Sequence, residues 1–136
     1  VGHGGLGSGN SSYGNLQFKL IRDGLTNIRI AVLENAPYVA DIAMPWEWLD
    51  GKRPNTIYVH PLLLVLGDHA QNDLFGDEED SVINELADYG YEVKPIHSAL
   101  GEYEAIQDIF RQHVQDCIDD LYGKRSPHRP TIPNIK

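Results

Sequence analysis

Two histidines and a glutamate carry the most specific chemistry in this chain. His3 lies in Val1-Gly-His-Gly-Gly5, Glu34 ends the run Asn27-Ile-Arg-Ile-Ala-Val-Leu33, and His69 lies in Leu66-Gly-Asp-His-Ala70. Two imidazoles and a carboxylate make a ligand set for a divalent transition metal, and imidazole suits cobalt, nickel, iron and zinc. Three protein ligands leave a coordination position open for substrate or water. Asp68, beside His69, either orients an imidazole or caps the turn. The gaps between the three are 31 and 35 residues, so this is not a local metal motif, and the fold must bring them together. His97 ends a predicted strand and is a fourth candidate. His60 lies inside a strand, His113 on a helical stripe reads as a packed core residue, and His128 is in the tail.

The elements that must position these residues alternate. Residues 1–9 hold five glycines and read as a loop, where backbone can approach a ligand closely. A helix starts at Asn10 or Ser11, with those side chains as candidate caps, and Gly24 ends it. The β-branched run to Leu33 is a strand. Tyr38 to Met44 looks helical, and Pro45 kinks or ends it. Trp46 and Trp48 then precede a polar loop. Thr56 to Val65 is a second strand whose near-continuous apolarity suits burial on both faces, with a break or bulge at Pro61. Four acids, Asp77 to Asp80, lead a helix from Ser81 to Tyr89 and suit its macrodipole. Tyr91 to His97 is a shorter strand. The last helix, Glu104 to Tyr122, has apolar residues at i, i+3, i+4 and i+7, and Cys117 falls on that stripe as a core residue.

Alternation of strands and helices predicts right-handed βαβ units, an α/β fold with a parallel sheet flanked by helices. Ligands of such sheets bind at the carboxyl ends of the strands, which is where His3, Glu34 and His69 are expected. The domain is expected to span 1–123, lacking its first strand and its partner lobe. Residues 124–136, with three prolines, form an extended or disordered tail.

At 136 residues the chain suits one domain. Hydrophobic residues are 41% and charged residues 23%, ordinary for a globular protein. The formal charge of -9 argues against nucleic acid and against anionic membranes as partners. No apolar run reaches the ~18 residues of a membrane span. Val1-Gly-His-Gly-Gly5 has no basic and apolar leader pattern. With a single cysteine, Cys117, no intrachain disulfide forms. A cytoplasmic location is expected.

The segment LLLVLGDHAQNDLFGDEEDSVINELADYGYEV, followed by LGEYEAIQDIFRQHVQD, resembles the C-terminal half of the class II, anaerobic-type sirohydrochlorin cobaltochelatases of the chelatase and ferrochelatase superfamily. Gly2-His-Gly4 with Asn10, Tyr13 and Leu16 is similar to that family's glycine-histidine-glycine loop and its helix. Val32-Leu-Glu34 is similar to the strand that ends in its metal-binding glutamate. The pattern covers nearly all of residues 2 to 118.

The resemblance implies a two-lobed chelatase fold, of which this is one lobe, and insertion of Co2+ into the tetrapyrrole sirohydrochlorin in anaerobic cobalamin biosynthesis. Fe2+ or Ni2+ are alternative metals. It puts His3, Glu34 and His69 on the metal-ligand positions and in catalytic roles, with a histidine or Glu34 accepting pyrrole protons. The positions after Gly-His-Gly that carry a threonine and further histidines in the family are Gly5, Leu6, Gly7 and Ser8 here. The chain is about half the family's length, so a homo-oligomer would rebuild the cleft. The alternative is a truncated or degenerate domain that binds metal or tetrapyrrole without catalysis. Lys19, Arg22, Lys52 and Arg53 are the candidates for attracting a polycarboxylate substrate.

Overall fold

A computed structural model describes residues 1–43 and 53–124, the His69 side chain excepted. Met44, Trp46, Trp48, Lys52, His128 and the tail from residue 125 lie outside the described residues. Val1–Leu100 form one compact unit and Gly101–Lys136 a second.

The first unit alternates strands and helices. The order is β1 Gly2–Gly4, a 3-10 turn Gly7–Asn10, α1 Ser11–Arg22, β2 Val32–Glu34, α2 Val39–Ala43, β3 Thr56–Val59, α3 Asp68–Phe75, α4 Val82–Asp88 and β4 Glu92–Pro95. β1 pairs in parallel with β2, Gly2 opposite Val32 and Gly4 opposite Glu34. β3 pairs in parallel with β4, from Thr56 opposite Glu92 to Val59 opposite Pro95. The two ladders meet at Val1. Its amine donates to the His60 carbonyl at 2.6 Å, and Leu62 N–H donates to the Val1 carbonyl at 2.6 Å. The expected α/β class, parallel strands flanked by helices, is the one observed.

Three departures have local causes. β2 begins at Val32 rather than at residue 27, because α1 intercepts the backbone before it. The Gln17 side-chain amide donates to Ile28 O at 3.0 Å and accepts from Ile30 N at 2.7 Å. β3 stops at Val59, short of the expected Val65. Pro61 has no N–H to offer a ladder, and the chain beyond it serves other partners, with Leu63 O accepting from Leu100 N at 2.8 Å. Leu64 and Val65 are exposed. The third departure is α3, which stands where only a strand end carrying His69 is expected. Gly67 precedes it in extended conformation and Gly76 follows it. Its apolar residues, Leu74 and Phe75, come only in its last turn, so the periodic signal is weak. Asp68 and His69 therefore sit in the first turn of a helix, not at the tip of a strand.

The core is a single cluster of Ala31, Val39, Ala43, Ile57, Val59, Leu74, Val82, Leu86 and Tyr91. β3 contributes to it by alternation: Ile57 and Val59 are buried while Tyr58 is exposed. Burying a leucine such as Leu74, which has no exposed surface, contributes about 1.5–3 kcal/mol. Tyr91 keeps its hydroxyl satisfied by donating to the Ala43 carbonyl at 2.6 Å.

In the second unit, α5 spans Glu104–Leu121 after a 3-10 turn at Leu100–Glu102. Its pairs Gln112–Asp116 and Gln115–Asp119, at 2.8 and 3.1 Å, follow the i,i+4 spacing that supports a helix. Its apolar stripe exists as read, but Ile109, Phe110, Val114 and Ile118 are exposed. Cys117 and His113 are exposed too, not core residues. Among the described residues of that unit there is no second element to bury the stripe.

Two side chains of α4 lead to stability predictions. Ser81 precedes the helix and is buried, yet makes no capping bond, and its Oγ has no hydrogen-bond partner among the described residues. Losing an N-cap serine ordinarily costs about 0.5–2 kcal/mol. Here Ser81→Ala removes an unsatisfied buried hydroxyl, so urea denaturation of the variant should show an unchanged or raised midpoint. Burial raises the Glu85 carboxyl above its usual value of 4.5. The folded state therefore prefers the protonated acid, and the penalty is present at neutral pH and vanishes as pH falls below 4.5. Glu85→Gln should raise Tm at pH 7 and lose that advantage at pH 4, checked by paired calorimetric scans.

Candidate metal centre

β1 is only three residues long, and each of its glycines meets a neighbour that leaves no room for a side chain. A Cβ on Gly2 would stand 2.3 Å from the Tyr13 ring. A Cβ on Gly4 would stand 2.1 Å from the Glu34 carbonyl oxygen, and Gly4 has φ +82°, a region that L side chains rarely adopt. The glycines thus let β1 lie flat between α1 and β2, and His3 projects between them, exposed.

Two side chains stitch this loop to the end of β2. Asn10 Nδ2 donates to Glu34 O at 3.0 Å and to Ala36 O at 3.1 Å. Asn35, itself at φ 64°, donates from Nδ2 to Gly5 O at 2.8 Å. Gly4 N–H approaches the Tyr13 hydroxyl at 3.4 Å. Asn10 was expected to cap α1; it makes no capping bond and spends its amide across the strands instead. For Asn35, an asparagine directly after the candidate ligand, tolerant of left-handed backbone, was the available signal.

His3 and Glu34 accordingly stand at the carboxyl ends of adjacent parallel strands. The register sets Gly4, not His3, opposite Glu34. Alternation then directs His3 and Glu34 to opposite faces of the ladder, and only at its open end can one ion reach both. Both side chains are exposed there. His69 is the second residue of α3, placed by its backbone alone. Among the described residues no group of three or more His, Cys, Asp or Glu side chains is already close enough to hold a metal ion.

The other histidines have separate duties. His97 lies against Phe75, ring centroids 4.5 Å apart. The His60 carbonyl accepts from the Val1 nitrogen at 2.6 Å. The cations expected to attract a polycarboxylate are partly committed. Lys19 and Arg22 both pair with Asp23, and Arg53 lies over the Tyr91 ring, 4.3 Å from its centroid.

A family model described as cobalt chelatase (CbiK) matches residues 1–119. The chain belongs to this cobalt chelatase family. The sirohydrochlorin cobaltochelatase of Salmonella typhimurium is 33% identical to it over 91 residues, which cover 67% of this chain and 33% of that protein. The chain thus spans about a third of the length of the relative it matches. Membership implies a divalent metal and a tetrapyrrole as the substrates of the family. Among the described residues no helix is long and apolar enough to cross a membrane.

The strand-end geometry rests on Gly4 more than on its neighbour Gly5, around which a Cβ would meet nothing within 4 Å. Gly4→Ala should lower stability by about 1–3 kcal/mol, through strained backbone and the clash with Glu34. Gly5→Ala should change it by less than about 0.5 kcal/mol, as surface substitutions do. Chemical denaturation of the two variants side by side measures the contrast.

Proposed function

We propose that this chain is the metal-holding part of a sirohydrochlorin cobaltochelatase, acting in anaerobic cobalamin synthesis with Co2+ as the metal it inserts. His3, Glu34 and His69 are its ligands and its catalytic groups. The observation that carries the reading is the β1–β2 register, which brings the His3 loop and Glu34 to the same strand edge in a member of the cobalt chelatase family. Strand ends are where ligands of parallel α/β sheets bind.

The chemistry follows from the residue types. Imidazole nitrogens from His3 and His69 replace part of the water shell of a divalent ion, and the Glu34 carboxylate offsets its charge. Exposed ligands suit an ion that must leave again, since the metal is passed on rather than kept. The tetrapyrrole must give up two N–H protons as the metal enters. A histidine, or Glu34 once the ion loosens, accepts them at the strand edge. The chain covers about a third of its relative, so the remaining wall around the macrocycle comes from a second copy of this chain or from another segment of polypeptide.

The test is anaerobic mixing of the protein with Co2+ and sirohydrochlorin, followed by visible spectroscopy. Calorimetric Co2+ titrations run in parallel, with the Val1 amine acetylated so that it cannot supply a nitrogen. Insertion above the uncatalysed rate, abolished by His69→Ala, is the expected result. Each of His3→Ala, Glu34→Gln and His69→Ala should weaken Co2+ binding by at least about tenfold, the lower end of what even outer partners of a metal site contribute. Saturable Co2+ binding without insertion would replace the enzyme by a binding domain. Co2+ binding untouched by all three substitutions would discard the assigned ligands.

A further inference from the structure

The β1–β2 ladder ends at the candidate ligands. Each strand is three residues long, and Gly4 opposite Glu34 is the last pair. Past that pair the chain enters the glycine-rich loop on one side and the segment Asn35-Ala-Pro37 on the other.

Three side-chain hydrogen bonds take over where the ladder stops. Asn10 Nδ2 donates to the carbonyls on either side of Asn35, those of Glu34 and Ala36, at 3.0 and 3.1 Å. Asn35 Nδ2 donates the other way, to Gly5 O at 2.8 Å. The residue at the far end of the loop grips the end of β2, and the residue after β2 grips the start of the loop. Neither amide is spent on its own element. Asn10 stands at the N-cap of α1 without making a capping bond, since a cap must accept from backbone N–H and this amide donates. Asn35 has φ 64°, a conformation that glycine adopts as readily. What asparagine adds there is the bond to Gly5.

The side chains of His3 and Glu34 leave the ladder on opposite faces. An ion shared between them sits at the open end, and its distances to both depend on how the end of β2 lies against the loop. The three bonds fix that relation. Given His3 and Glu34 as the ligands proposed above, we infer that Asn10 and Asn35 are positioning residues of the metal centre. They hold the backbone of Glu34 in place against that of His3, and act on Co2+ affinity only through those two ligands.

Asn10→Leu keeps the approximate size and removes both donors. Asn35→Gly keeps the positive φ and removes the bond to Gly5. Each should weaken Co2+ binding by about tenfold, as loss of an outer partner of a metal site does, in calorimetric titrations of the intact chain. A loosened fold would also weaken binding, so each substitution is repeated in the Glu34→Ala background. There His3 keeps its place through β1, whose Gly2 N–H donates to Ala31 O at 2.8 Å, but the glutamate to be aligned with it is gone. The asparagine substitution should then change the remaining Co2+ affinity by less than about twofold, whereas a general loss of structure would cost the same factor in both backgrounds. The shift that each substitution causes in the urea midpoint should be equal with and without Glu34. If Asn10→Leu fails to fold, Asn35→Gly on the other side of the clamp decides the matter. Unaltered Co2+ binding in the asparagine variants, with Glu34→Ala weakening it, overturns the inference and leaves the ligands standing. So does an equal loss in both backgrounds. Co2+ binding that His3→Ala and Glu34→Ala leave unchanged overturns the ligand assignment and the positioning role together.

Discussion

The close approach of Gly4 to the Glu34 carbonyl is the constraint on which the rest of the candidate centre depends. Only a residue without Cβ passes there, and only one tolerant of positive φ turns the chain immediately afterwards. Because it passes, β1 can pair with β2 to its very end, and the loop beyond it falls within reach of Asn10 and Asn35. Those two amides close the edge from opposite directions. One reaches forward from the turn before α1 to the carbonyls of Glu34 and Ala36, and the other reaches back from residue 35 to Gly5. The side chains of His3 and Glu34 are therefore exposed on a backbone that is hydrogen-bonded from both directions.

The same economy recurs in α1. Gln17 bonds to both Ile28 and Ile30, so a helix side chain stands in for a neighbouring strand. Tyr13, one turn earlier, packs its ring on Gly2. The helix that follows the glycine loop thus holds both the loop and the approach to β2, and a disturbance of α1 would reach the candidate ligands through two contacts.

Much of this was legible in the residues. The alternation of apolar β-branched runs with helical stripes specified parallel α/β architecture, and the run to Leu33 specified a strand ending at Glu34. Three features were not legible, each for a physical reason. Strand ends depended on competition for backbone groups, by Gln17 against β2 and by Pro61 against β3, and such competition comes from residues distant in sequence. α3 escaped notice because Leu74 and Phe75 fall in its last turn, so that burial rather than periodicity makes it a helix. The stripe of α5 was read correctly as a pattern, but a pattern says that a face is apolar and not that its own unit supplies a cover. Cys117 and His113 were misjudged with it.

Tyr91 joins two points far apart in sequence. Its hydroxyl takes the Ala43 carbonyl, and its ring lies under Arg53. The two ends of the stretch between residues 43 and 53 are thus gathered at a single aromatic side chain, like the two ends of a cord through one clasp. Losing that side chain would release both residues at once, so two segments far apart in sequence share one point of attachment to the core.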